Sequence, residues 1–123
     1  MKIAVFSDIH GSIEALEAGL ADAEARGAEA FACLGDIVGY GADPNKCCQR
    51  VRAQGGIVVR GNHDHASSHR IPLAWFNELA ASAIRWTRGQ LSPENREWLR
   101  SLPFEPKFQR IFRWSGVRSF GGA

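Results

Sequence analysis

The sequence predicts an α/β fold on a parallel sheet, and three observations carry that reading. Short apolar runs recur at residues 2–7 (KIAVFS), 30–34 (AFACL) and 57–60 (IVVR). The stretches between them repeat apolar residues at helical spacing. Capping and turn residues stand at the junctions, and strand–helix–strand–helix–strand at this spacing is a parallel unit.

Residues 2–7 read as a buried strand. Ser12 then offers an N-cap, and Ile13, Leu16, Leu20 and Ala23 recur at helical spacing up to Gly27, with Glu14, Glu17 and Glu24 off that stripe. Residues 30–34 are a second buried strand. Asp43-Pro44 places a proline at a first helical position, starting a helix that Gly55-Gly56 ends after Gln54. Residues 57–60 form the third strand. Beyond His65, residues 72–88 carry Leu73, Phe76, Ala80, Ala83 and Thr87 near one stripe, which predicts a helix ended by Gly89. Ser92-Pro93-Glu94 starts a shorter helix that Pro103 closes. Residues 107–114 (KFQRIFRW) alternate and read as an edge strand, and the glycine-containing residues 115–123 read as a frayed end.

Composition excludes several classes. The chain has 123 residues, 45% hydrophobic and 23% charged, near globular averages, which excludes a disordered chain, a coiled coil or a collagen-like fibre. Its apolar runs fall far below the roughly 18 residues a membrane span needs. With no secretory signal and three cysteines, two of them adjacent, a cytoplasmic setting with Cys33, Cys47 and Cys48 as small reduced side chains is expected. Residues 1–106 carry 11 basic and 13 acidic side chains, whereas residues 107–123 carry 4 basic and none acidic. That tail reads as a solvated end rather than a nucleic-acid surface.

Polar clusters follow each strand: Asp8-Ile9-His10, Gly35-Asp36 and Gly61-Asn62-His63-Asp64. The carboxyl ends of parallel strands share one edge, where ligands bind. Asp8, His10, Asp36, Asn62 and His63 therefore converge, and carboxylate, imidazole and amide oxygen together suit divalent metals such as Mn, Fe or Zn. Asp36, on the middle segment, is the natural bridge between two ions. Taken singly, an Asp or Asn after a strand is a turn or cap residue; the set at three successive strand ends is what points to metal.

The segments 8–11 (DIHG), 35–41 (GDIVGYG) and 61–64 (GNHD) resemble the D-x-H, G-D and G-N-H-[DE] signatures of the calcineurin-like metallophosphoesterases, in the form of the small prokaryotic phosphoesterases. The resemblance implies that residues 1–106 are the parallel β-α-β-α-β half of an αββα sandwich, with C-terminal helices. It implies hydrolysis of phosphodiesters or phosphomonoesters by a metal-bound hydroxide, with two divalent ions (Mn, Fe, Zn or Ni). Asp8 and His10 would hold the first ion, Asp36 would bridge, and Asn62 would bind the second. His63 would protonate the leaving oxygen, with Asp64 holding its imidazole. Nucleic acid enters only as a substrate of that chemistry.

The family's later histidines, in a G-H and a G-H-x-H motif, have no counterpart, since the histidines are His10, His63, His65 and His69. The sequence thus reads as ending where the second half of the sandwich begins, with residues 107–123 a basic aromatic tail unlike the family. Three expectations follow: a weak second ion, completion of the site by His65, His69 or a second subunit, and a homo-oligomer covering an exposed sheet face. The alternative reading is a metal-binding or scaffold module that keeps the fold with impaired catalysis.

Overall fold

The computed structural model describes residues 1–104; the expected edge strand and tail lie outside the described residues. The elements run β1 (Ile3–Phe6), α1 (Ile13–Ala25), β2 (Ala30–Cys33), α2 (Pro44–Gln54), β3 (Ile57–Val58), α3 (Asn62–Ser68), α4 (Glu78–Gln90) and α5 (Pro93–Ser101). The three strands are parallel in the order β1-β2-β3. This is the predicted α/β unit with its helices.

The register explains where the core lies. Ala4 pairs with Phe31 and Phe6 with Cys33, while Ile3 pairs with Ala30 and Val5 with Ala32. Side chains alternate between faces along a strand, so Phe6, Phe31, Cys33 and Val58 point to one side. There they pack with Leu16 and Leu20 of α1, Cys47, Cys48 and Val51 of α2, and Leu99 of α5. On the opposite side Ala30 is buried, but among the described residues Ile3 is left 44% exposed, Val5 59% and Leu34 50%. The first strand is thus not the buried strand its apolar composition suggests. Among the described residues it is an edge strand covered on one face only.

The helix starts follow their caps. Ser12 Oγ accepts from the Ala15 N–H at 3.4 Å and Ser92 Oγ from the Asn95 N–H at 3.2 Å. Asp43 precedes Pro44 as expected but makes no side-chain cap bond. The helix expected over residues 72–88 starts later, because Asn77 Oδ1 accepts from the Ala80 N–H at 2.8 Å and takes the N-cap position. Ahead of it, Phe76 N–H bonds the Leu73 carbonyl at 3.0 Å in a turn, and Gly89 lies inside the helix. The third strand is shorter than predicted, although Val59 N–H still reaches the Cys33 carbonyl at 3.0 Å. All three cysteines are free and buried, as expected. No helix among the described residues is long and apolar enough to cross a membrane.

Candidate metal centre

The segments leaving β1 and β2 stay zipped together past the strand ends. The N–H groups of Asp8, His10 and Gly11 bond the carbonyls of Gly35, Asp36 and Ile37 at 3.1, 2.9 and 2.8 Å. Along this zipper Asp8, His10 and Asp36 adopt left-handed backbone, with φ of 57°, 48° and 55°. Such angles are uncommon and costly for residues with side chains, and persist where the surroundings fix them, often at functional sites. Here they turn three polar side chains to one place: a ligand atom from each of Asp8, His10 and Asp36 lies within 4.8 Å of the others.

Hydrogen bonds define the chemistry of each member. His10 Nδ1 lies 3.0 Å from the Val38 carbonyl, which can only accept, so Nδ1 carries the proton. Its Nε2 then faces Asp8 Oδ1, 3.3 Å away. An imidazole anchored to a backbone carbonyl through one nitrogen, with the other facing carboxylates, is the usual form of a metal-ligating histidine. Asp8 Oδ2 accepts from the Ser7 hydroxyl at 2.6 Å. That bond holds the Asp8 carboxyl below the ordinary carboxylate range, with a smaller pull from His10. Asp36 Oδ1 accepts the His63 N–H at 3.0 Å, tying the second motif to the start of α3. The donor set and its orientation fit a divalent cation.

The third motif forms the start of α3. Asn62 is its first residue, with an exposed side chain beside Gly61. Gly61 must lack a side chain, because a Cβ there would collide with Asp36 Oδ1. His63 is buried at 7% exposure. Its ring meets those of His10 at 4.9 Å, Tyr40 at 5.0 Å and Phe76 at 5.6 Å between centroids. Its buried Nδ1 has no hydrogen-bond partner among the described residues. Burial pushes the imidazole below its ordinary pKa, against the opposing pull of Asp36, so the free chain holds His63 neutral.

Asp64 differs from its expected role. Its Oδ1 accepts from the Ile37 and Val38 N–H groups at 2.9 and 3.1 Å, and its Oδ2 from Gly61 N–H at 3.0 Å. It therefore pins the loop that carries Asp36 rather than the His63 imidazole. His65 and His69 also lie apart from the cluster. Their rings stack at 4.2 Å, and His65 packs on Phe104 at 4.9 Å. Neither joins Asp8, His10 and Asp36, so the idea that they complete the site is not what the structure draws.

Tyr40 and Phe76 were missed as site residues. Tyr40 has a φ of 64°, and its ring meets His10 edge-on at 5.2 Å. Its place in the G-Y-G run between two glycines was the available signal. Phe76 had been assigned to a helical stripe.

A sequence profile of the calcineurin-like phosphoesterases matches residues 1–121. The chain belongs to this family. The uncharacterized protein MJ0912 of Methanocaldococcus jannaschii is 48% identical over 101 residues, covering 82% of this chain and 42% of that protein. The crystal structure of a metallophosphoesterase from Sphaerobacter thermophilus matches with a TM-score of 0.70 and 44% identity, over 84% of this chain and 42% of that one. The structure of a candidate diadenosine tetraphosphatase matches with a TM-score of 0.59 and 26% identity, over 82% and 42% of the two chains. The chain thus spans well under half the length of these relatives. The matched family is one of phosphoesterases, and one matched structure is that of a metallophosphoesterase.

Proposed function

We propose that this chain supplies the Asp8–His10–Asp36–Asn62–His63 side of a divalent-metal phosphoesterase acting on phosphodiesters or small phosphomonoesters. One observation carries the reading: three ligand atoms, held on left-handed backbone, lie within 4.8 Å of one another, with His10 Nε2 turned toward Asp8. Asp8 and His10 would hold one ion, Asp36 would reach both, and Asn62 would serve the second. Bound there, divalent ions polarise phosphoryl oxygens and make water a nucleophile at neutral pH.

The chain's own residues do the rest. His63 Nδ1 is packed against Gly39, which leaves Nε2 as the nitrogen to meet a substrate. An anionic phosphate beside the ring raises its proton affinity, and the ring then gives that proton to the departing oxygen. Tyr40 and Phe76 fix the ring plane, and Asp64 holds the loop bearing Asp36.

Hydrolysis of bis(p-nitrophenyl) phosphate with added Mn²⁺ tests this. Activity in the parent, reduced at least about a hundredfold in Asp36→Asn and in His63→Ala, is expected. Activity equal in parent and variants, or none with any divalent metal, contradicts it. The second result would favour the metal-binding or scaffold reading.

A further inference from the structure

A second polar cavity lies at the other end of α3. Asn62 and His63 begin that helix at the metal centre. Its seven residues extend about 10 Å to Ser67, Ser68 and His69, which line a cavity of about 620 Å³ with Arg70, Arg88, Arg96 and Arg100. None of the described lining residues is acidic. Four guanidinium groups around one concavity repel one another and focus a positive field that an anion relieves.

The arginines divide into scaffold and free donors. Arg88 is committed to the fold, donating to the carbonyls of Ala66, His69 and Ile71 at 2.8, 3.0 and 2.9 Å. Burial lowers its proton affinity, with Arg70 and Arg85 adding to the effect, which registers the crowding of like charge. Arg96 donates to the Arg88 carbonyl at 3.2 Å. Arg100 has a loose, exposed contact with Glu97 at 3.9 Å, of the kind that contributes little. Arg70 is exposed, and its guanidinium makes no hydrogen bond or ion pair among the described residues. Ser67, 2% exposed, lines the same cavity, and its hydroxyl has no partner among the described residues.

We propose that this cavity is a second, metal-independent site for a small phosphate-bearing ligand of diphosphate size. Arg70 and Arg100 grip the phosphate oxygens, and Arg96 backs them. Guanidinium forks match phosphate oxygens in geometry and charge. A half-open cavity of this size suits a small molecule better than a polymer.

Calorimetric titration of inorganic pyrophosphate and of ADP into the whole chain in EDTA tests the proposal, because EDTA silences the metal centre. Saturable binding is expected, weakened by added salt and about tenfold in each of Arg70→Gln and Arg100→Gln. Both variants alter exposed side chains, and circular dichroism checks that they fold. Amide NMR shifts should centre on residues 67–70 and 96–100 and spare Asp8 and His10. ADP binding much more tightly than pyrophosphate identifies a nucleotide; equal binding identifies the phosphates alone as the recognised group. No saturable binding, undiminished binding in the double variant, shifts at the metal centre, or binding of an RNA oligonucleotide without pyrophosphate would each overturn it.

Discussion

Asp64 shows how one residue holds a site it does not enter. It is fully buried and accepts three backbone N–H bonds, two of them from the loop that carries Asp36. Asp64→Ala leaves the Ile37 and Val38 N–H groups without that acceptor and should cost about 3 kcal/mol or more in urea unfolding. Mn²⁺ affinity should fall roughly tenfold through the loosened loop. Unchanged stability would contradict this role. At Gly39, with a φ of 99°, a Cβ would meet His63 Nδ1 at 2.5 Å. Gly39→Ala should therefore cost about 1–3 kcal/mol and displace the imidazole, which unfolding and phosphodiester hydrolysis read separately. Burial pushes the Cys33 and Cys47 thiols up to about 12 and Cys48 higher still. No thiolate is then available at mildly alkaline pH. Iodoacetamide should label none of the three until the chain is unfolded, and rapid labelling of the folded chain would contradict the burial. The candidate ligands were legible because polar residues at successive strand ends must converge. The work of Asp64 was not, since its partners lie 26 and 27 residues away in sequence.

At the scale of elements, Asn45 joins three helices. Its Oδ1 accepts from Ser92 N–H and from Asn95 Nδ2, both at 2.9 Å, and its Nδ2 donates to the Gln90 carbonyl at 2.8 Å. The start of α2 is thereby clamped to the α4–α5 junction. Asn45→Ala removes all three bonds and should lower stability by about 2–3 kcal/mol in urea unfolding; a loss within experimental error would show the clamp to be idle. Where sequence reading failed, the cause was local. Leu73 and Phe76 fit a helical stripe, but the Asn77 cap offers the chain a better start, and the turn before it sends Phe76 to His63 instead. The seven residues of α3 are too few for periodicity to announce a helix.

For the molecule as a whole, parallel order and the shared strand edge followed from the alternation of apolar runs and capped helices. Which face of the sheet would be covered did not, because Ile3 and Val5 have the composition of buried residues. Among the described residues Ile3, Val5 and Leu34 leave apolar surface exposed beside an edge strand, and such surface favours association. Sedimentation at tens of micromolar should show self-association of this chain, reduced in Val5→Lys; a monomer under those conditions would contradict it. The metal centre sits where the three motif-bearing segments meet, and all of the proposed chemistry depends on it. Calorimetric titration with Mn²⁺ of the parent chain beside Asp36→Asn tests that centre most directly. The structure predicts saturable binding in the parent that weakens at least about tenfold in the variant. Binding of equal strength in both, or none in the parent, would mean that Asp8, His10 and Asp36 do not form a metal site.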